Sequence, residues 1–406
     1  MRSTVLSLWF SVVLSATSLA ATPADILRQH LEAGTLAQGI TALAPAAEGH
    51  DKEALAARGV LKFMTGMERF AQAMHRHGLE SGGNMMVLRL PLLRLPVPPN
   101  PHPEKLDYQG LRQIFSSFVA DMAAAEADLA ALGDQPVSFP LDLARLHLDI
   151  NGDGTITDAE GLGRMLTGLG PAGAPAPDMA VHFDTTDIYW LRGYGNFLAA
   201  FAQFLLAHDF SATFDKSFQL FFPRAGLPLG DEAAPMDDLL AAGERVDRVA
   251  DAIALIHLVN WQVVEPERRR EVRLHLKAMA DLSRKSWTAA RAETDDDHEW
   301  LPNARQHPAF AFGPVDDTVI DGWLQIMTEM EQVLDGRKLL PHWRFAQGMN
   351  LQKFLDDGKS FDLVLLLAGQ DARPWLESGP VSDTATWNNL TQAFRGNFLS
   401  YALWFN

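Results

Sequence analysis

Cysteine is absent from all 406 residues. That excludes disulfides, Fe–S clusters, a thiol nucleophile and attachment through a lipidated cysteine. Several catalytic signatures are missing as well. There is no G-x-S-x-G elbow, no H-E-x-x-H pair, no P-loop and no G-x-G-x-x-G fingerprint. A triad assembled from distant positions stays open. Basic residues are the minority, 34 Lys and Arg against 51 Asp and Glu, for a net charge of −17. This balance argues against nucleic acid or anionic lipid as a partner drawn in by long-range attraction. It leaves local basic patches untouched.

The first 20 residues read as a secretory signal. Met1-Arg2 is a positive start, Val5–Leu14 is mostly apolar, and Ser18-Leu19-Ala20 is a small-x-small cleavage site. The apolar stretch is short for a membrane span. No twin-Arg pair is present. The expectation is a Sec-exported bacterial protein, periplasmic or secreted, with no integral membrane anchor after cleavage; an uncleaved anchor is the alternative. Residues 1–20 hold one base, Arg2, and no acid, so their removal leaves residues 21–406 one unit more negative.

One segment carries sharp chemistry: Asp149-Ile150-Asn151-Gly152-Asp153-Gly154-Thr155-Ile156-Thr157-Asp158-Ala159-Glu160. Oxygen side chains fall at positions one, three and five (Asp149, Asn151, Asp153). Gly154 follows at six, where the chain must turn sharply. Thr155 offers a carbonyl at seven, Thr157 a direct or water-mediated contact at nine, and Glu160 a bidentate carboxylate at twelve. Ca²⁺ is a hard cation that takes six to eight oxygens, and this spacing supplies them from one segment. A metal-free Asp/Gly-rich turn is the plainer reading.

The segment resembles the EF-hand loop and matches it at every ligand position. The resemblance implies one calcium ion held by Asp149, Asn151, Asp153, Thr155, Thr157 and Glu160. It also implies that Ile156, at position eight, forms a short β-bridge to a partner. With no second loop in the chain, Val181-His182-Phe183 is the expected partner; packing of Ile156 against a side chain is the alternative. The flanks depart from the family. Pro140 limits any incoming helix to Leu141–Leu148, a stretch that partly alternates and so also suits an irregular approach. On the far side Leu162, Met165, Leu166 and Leu169 have helical spacing, weakened by Gly161 and Gly163.

Most of the remainder has helical periodicity. Val60, Phe63, Met64, Met67, Phe70, Ala71 and Met74 form one stripe. Leu111, Ile114, Phe115, Phe118, Met122 and Leu129 form another, with Asp107 as N-cap and Gly133 past the end. Further helices are expected over Met236–Val264, Pro266–Ala292, Asp317–Asp335 with Gly336 as its cap, and roughly Asp383–Trp404. Thr186–His208 is apolar nearly all round and reads as the central buried helix, with Asp184 as N-cap and Asp187 as its acidic partner. Leu90–Pro103 is expected to be extended and Gly170–Asp178 a loop, because both are proline-rich. Phe361–Leu367 fits a short strand or a buried helix. No internal repeat or clear linker divides the chain. The expected fold is mainly α: a single large helical domain over 21–406, with little β structure and the loop embedded. Two subdomains split near Pro223–Ala234 are the alternative.

Other constellations are weaker. Glu293–Trp300 sets carboxylates beside an imidazole, but at no standard ligand spacing; a solvated acidic end after a basic helix explains it equally. His75 and His77 diverge on a helix. Arg192 on the central helix needs an acidic partner or a polar cavity. Trp261, Trp287, Trp323, Trp343, Trp375 and Trp387 suit either core or sugar stacking. The Trp190–Tyr194 and Thr294–Trp300 segments, together with the single loop, make the whole chain similar to a group of uncharacterised bacterial exported proteins. Two functions follow as expectations. One is an exported calcium-binding protein whose ion is structural. The other is an exported all-α hydrolase or lyase acting on a polysaccharide or phosphoester, with calcium as a structural ion. A calcium sensor is weaker, because sensors pair their sites and one loop is visible.

Overall fold

Helices begin where the sequence supplies caps. In the computed structural model, which describes residues 21–80, 97–163, 179–227, 250, 253–296, 298–307, 315–396, 398, 402 and 405, α1 (Pro23–Glu32) follows Thr22, whose hydroxyl accepts from the Asp25 N–H. Next come α2 (Leu36–Glu48) and α3 (Lys52–Arg76), the latter capped by Asp51. Asp107 caps α4 (Tyr108–Ala131) through the Gly110 N–H at 2.7 Å, and Gly133 beyond its end has φ +65°. Each such side-chain cap satisfies a backbone donor left over at a helix start, and is worth about 1 kcal/mol.

Helix α3 packs on α4 along small residues. A Cβ on Gly59 would meet the Leu129 side chain at 2.6 Å, and one on Gly66 would meet Met122 at 2.6 Å. Arg58 locks the pair with two hydrogen bonds to Asp128, at 2.7 and 2.8 Å. The chain then leaves helix. Strand β1 (Ser138–Asp142) pairs antiparallel with β2 (Ala180–Asp184), Phe139 facing Phe183 and Leu141 facing Val181. The Asp149–Glu160 loop lies on the connection between these two strands.

Central helix α5 (Thr185–Ala207) starts from Asp184, whose carboxylate accepts from the Thr186 and Asp187 N–H groups, while Asp187 accepts from the Asp184 N–H. It buries residues on every side, from Thr186 to Ala207. Arg192 pairs with Glu126 of α4 at 2.8 Å, so the lone basic group on this helix is structural. Strand β3 (His208–Asp209) and α6 (Ser211–Ser217) follow. Strand β4 (Asn260–Val263) then leads into α7 (Pro266–Ala292), which makes the most extensive helix contact in the fold, with α5. Next are α8 (Asp317–Leu334), β5 (Gly348–Met349), α9 (Leu351–Asp357), β6 (Ser360–Asp362), α10 (Leu363–Ala368), β7 (Leu376–Glu377) and α11 (Thr384–Gln392). A three-stranded sheet runs β3-β4-β6, and β5 pairs with β7.

The fold is mainly α, with a few short strands. One hydrophobic core runs from Leu27 through Phe115, Leu198, Trp287 and Trp323 to Phe405, and a small satellite forms around Phe354 and Leu355. Burying an aromatic or leucine side chain contributes about 1.5–3 kcal/mol, and this core holds many. No helix among the described residues is long and apolar enough to cross a membrane.

Several expectations shift. Of Met236–Val264, residues 253–258 are helical, but Asn260–Val263 is strand β4, drawn into the sheet by β3 and β6. Phe361–Leu367 divides: the strand ends at Asp362, which caps α10, and that short helix is not the buried one expected, since Val364, Leu365 and Leu367 are exposed. The C-terminal helix begins at its Asp383 cap as expected and is regular to Gln392. Trp261, Trp287 and Trp323 are core, whereas Trp343 is 74% exposed. Residues 1–20, Leu90–Pro96, Met165–Leu169 and Gly170–Asp178 lie outside the described residues.

Candidate metal centre

The loop winds around its own carboxylates. Asp149 Oδ1 accepts from the Gly152 N–H at 2.8 Å and Oδ2 from the Gly154 N–H at 3.1 Å. Both glycines are left-handed, with φ +75° and +76°, a conformation other residues adopt only at a cost. Asn151 Oδ1 accepts from the Asp153 N–H, and Asp153 Oδ1 from the Thr155 N–H at 2.7 Å. Asn151 Nδ2 donates to Asp153 Oδ2 at 3.0 Å.

Glu160 closes the circuit. It is 2% exposed. Its Oε1 accepts from the Ile150 and Asn151 N–H groups at 3.0 and 3.2 Å, and its Oε2 from the Thr157 N–H and hydroxyl at 3.1 and 2.8 Å. First and last ligand positions are thus brought together, as the spacing requires. Asp153, Thr155 and Thr157 remain exposed. The carboxylates of Asp149, Asp153 and Glu160 spend their oxygens on loop donors rather than on one another.

The flanks differ from a helix–loop–helix. Strand β1 ends at Asp142, a single 3₁₀ turn covers Leu143–Arg145, and His147 bridges Gly161. Pro140 has no N–H to give a helix, and Phe139 and Leu141 alternate inward, so the irregular approach wins over the helical one. The loop ends are zipped by Leu148 N–H to Glu160 C=O and Leu162 N–H to Leu146 C=O, at 3.2 and 2.8 Å. On the outgoing side Asp158–Glu160 is a 3₁₀ turn.

The expected bridge from Ile156 to Val181–Phe183 does not form. Val181–Phe183 is extended, as expected, but β1 occupies its ladder. Ile156 instead lies over Gly34 in the α1–α2 turn, where a glycine Cβ would meet Ile156 Cδ1 at 2.5 Å. Ile156 thus makes the side-chain contact given as the alternative, not the backbone bridge.

Two residues that sequence reasoning missed hold the loop's first position. Glu68 Oε2 accepts from the Asp149 N–H at 2.9 Å, and Gln72 Nε2 donates to the Asp149 carbonyl at 2.7 Å. Both stand on α3. Burial raises the Glu68 carboxyl above its ordinary value, and the nearby Asp149 and Glu160 charges push it the same way against the Asp149 hydrogen bond. Nothing in the local pattern around Glu68 points some 80 residues ahead.

A second acidic group forms at the N-terminus of α5. One oxygen from each of Glu293, Asp295 and Glu299 lies within 4.8 Å of the others, the first at the end of α7. Asp184 and Asp187 adjoin them. Burial first and the facing Glu293 carboxylate second push Asp184 up to about 7; Asp187 is raised well above its ordinary value by burial and then by Asp184. The Thr186 hydroxyl donates to Glu293, and Gln306 Nε2 donates to its other oxygen at 3.2 Å. The sequence showed Glu293–Trp300 as acidic. It did not show that turns would gather three of its carboxylates.

No protein-family model, curated protein or solved structure matches this chain.

Proposed function

We propose that this is an exported calcium-binding protein with one EF-hand-like site, formed by Asp149, Asn151, Asp153, the Thr155 carbonyl, Thr157 and Glu160. The observation that supports it most is the closure of the loop. Two left-handed glycines turn the chain so that Asp149 and the buried Glu160 face the same short run of backbone amides. A hard cation with oxygen ligands suits such a ring, and Glu160 would bind with both oxygens. The ion's role in this reading is structural, because the loop and its approach are bonded to α3 and α1, and β1 ahead of it pairs with the strand that starts the central helix.

Calorimetry tests the assignment. The wild-type chain should bind one Ca²⁺, and Glu160→Gln should weaken binding by at least about tenfold, the scale set by losing one charged contact of about 1.5–3 kcal/mol. Identical isotherms for the two chains would overturn the ligand set.

A second reading, a hydrolase or lyase with structural calcium, draws on the other acidic group. A carboxyl raised to about 7 beside a second carboxylate is what general acid–base chemistry uses. The calcium reading stands without it. Turnover of oligosaccharides or phosphoesters that disappears in Glu293→Gln would favour this second reading.

A further inference from the structure

We infer that Glu68 and Gln72 of α3 are positioning residues of the loop, standing in for the incoming helix that an EF-hand site normally has and this one lacks. The inference rests on the calcium reading above. In a helix–loop–helix the first ligand's peptide is held by the helix that leads into it, through i to i−4 hydrogen bonds. Here the approach to Asp149 is a strand and one 3₁₀ turn, so no such bonds exist. A peptide group at the edge of a buried region still needs partners. Both main-chain groups of Asp149 find them on a distant helix: the N–H on Glu68, the C=O on Gln72.

The sequence spacing explains why two side chains suffice. Residues four apart lie on one face of a helix, one above the other. Glu68 and Gln72 therefore reach the two peptide groups that flank the Asp149 Cα from one side, one as acceptor and one as donor. The Gln72 side chain also lies against the loop's first glycine, its Cγ 3.5 Å from where a Gly152 Cβ would stand. Asp149 is clamped before its carboxylate is used. Its two oxygens are then free to face the loop amides, as found. Rotation of the Asp149 backbone about either flanking peptide would swing the carboxylate out of the ring.

Calcium calorimetry and Eu³⁺ luminescence on the whole chain test this together. Lifetimes in H₂O and D₂O count the waters on the bound lanthanide. Glu68→Ala and Gln72→Ala should each bind calcium about tenfold more weakly. Each should also carry more ion-bound water than the wild type, because a displaced Asp149 leaves a coordination position to solvent. Glu68→Gln keeps an acceptor for the Asp149 N–H and removes only the charge. It should stay within about threefold of wild type with an unchanged water count, which a loss of long-range attraction alone would not spare. Wild-type binding with both alanine variants unchanged in affinity and hydration would overturn the inference and leave the site intact. Glu68→Gln as damaged as Glu68→Ala would make Glu68 a source of charge and overturn its positioning role. A wild-type chain that takes up neither ion would overturn the site itself, and the clamp with it.

Discussion

Asp184 carries two duties that conflict. As N-cap of the central helix its carboxylate should be charged, since the helix start favours an anion. Burial and Glu293 oppose that charge and lift it from the ordinary 3.8 to about 7. The folded chain therefore holds a proton there that the unfolded chain has already released. Stability from this group is complete below about pH 4 and is lost as pH rises through about 7. Asp184→Asn keeps a capping oxygen and removes this group's own titration, leaving that of the neighbouring Asp187, which burial raises first. Across pH 5–8 the wild type should melt progressively lower as pH rises. The variant should show a flatter profile and melt higher at pH 8. Parallel melting curves for the two chains in scanning calorimetry would show that the group is not the source of the dependence.

At the scale of elements, the connection from the loop to the core runs through a two-stranded ladder. Strand β1 leads into the loop, and β2 ends at Asp184, the first cap of α5. Loosening the loop would release β1 at its C-terminal end and leave β2, among the described residues, only its isolated bridge to Glu299. Short two-stranded ladders are marginal without such support. Chelating calcium should therefore speed amide exchange in the loop, in Phe139–Leu141 and Val181–Phe183, and in the first turn of α5. The middle of α5, packed by α4 and α7, should hold its protection. Faster exchange confined to Asp149–Glu160 would mean that the ladder transmits nothing.

For the whole molecule, a ligand that binds only the folded chain stabilises it by mass action. At free calcium a hundredfold above Kd the gain is about 2.7 kcal/mol. Melting should rise with calcium and fall with chelator, and Glu160→Gln should blunt the difference. An ion that binds without shifting the melting temperature would separate binding from folding and remove the structural role.

The helical class, the central helix and the spacing of the six proposed ligand positions were legible in the chain because they are local. A 3.6-residue period, an Asp before an apolar run and a glycine where the backbone must turn left act within a few residues. The calcium reading rests on that locality. Three features were decided by tertiary structure alone. Asn260–Val263 became a strand because β3 and β6 offered it edges. Ile156 settled on Gly34, and Asp149 was gripped by Glu68 and Gln72 of α3. Each joins residues far apart along the chain, and no period or spacing encodes which distant surface will supply the missing hydrogen-bond or packing partner. Unsatisfied backbone groups and exposed apolar faces state only that a partner is required. Packing of the finished helices chose which one.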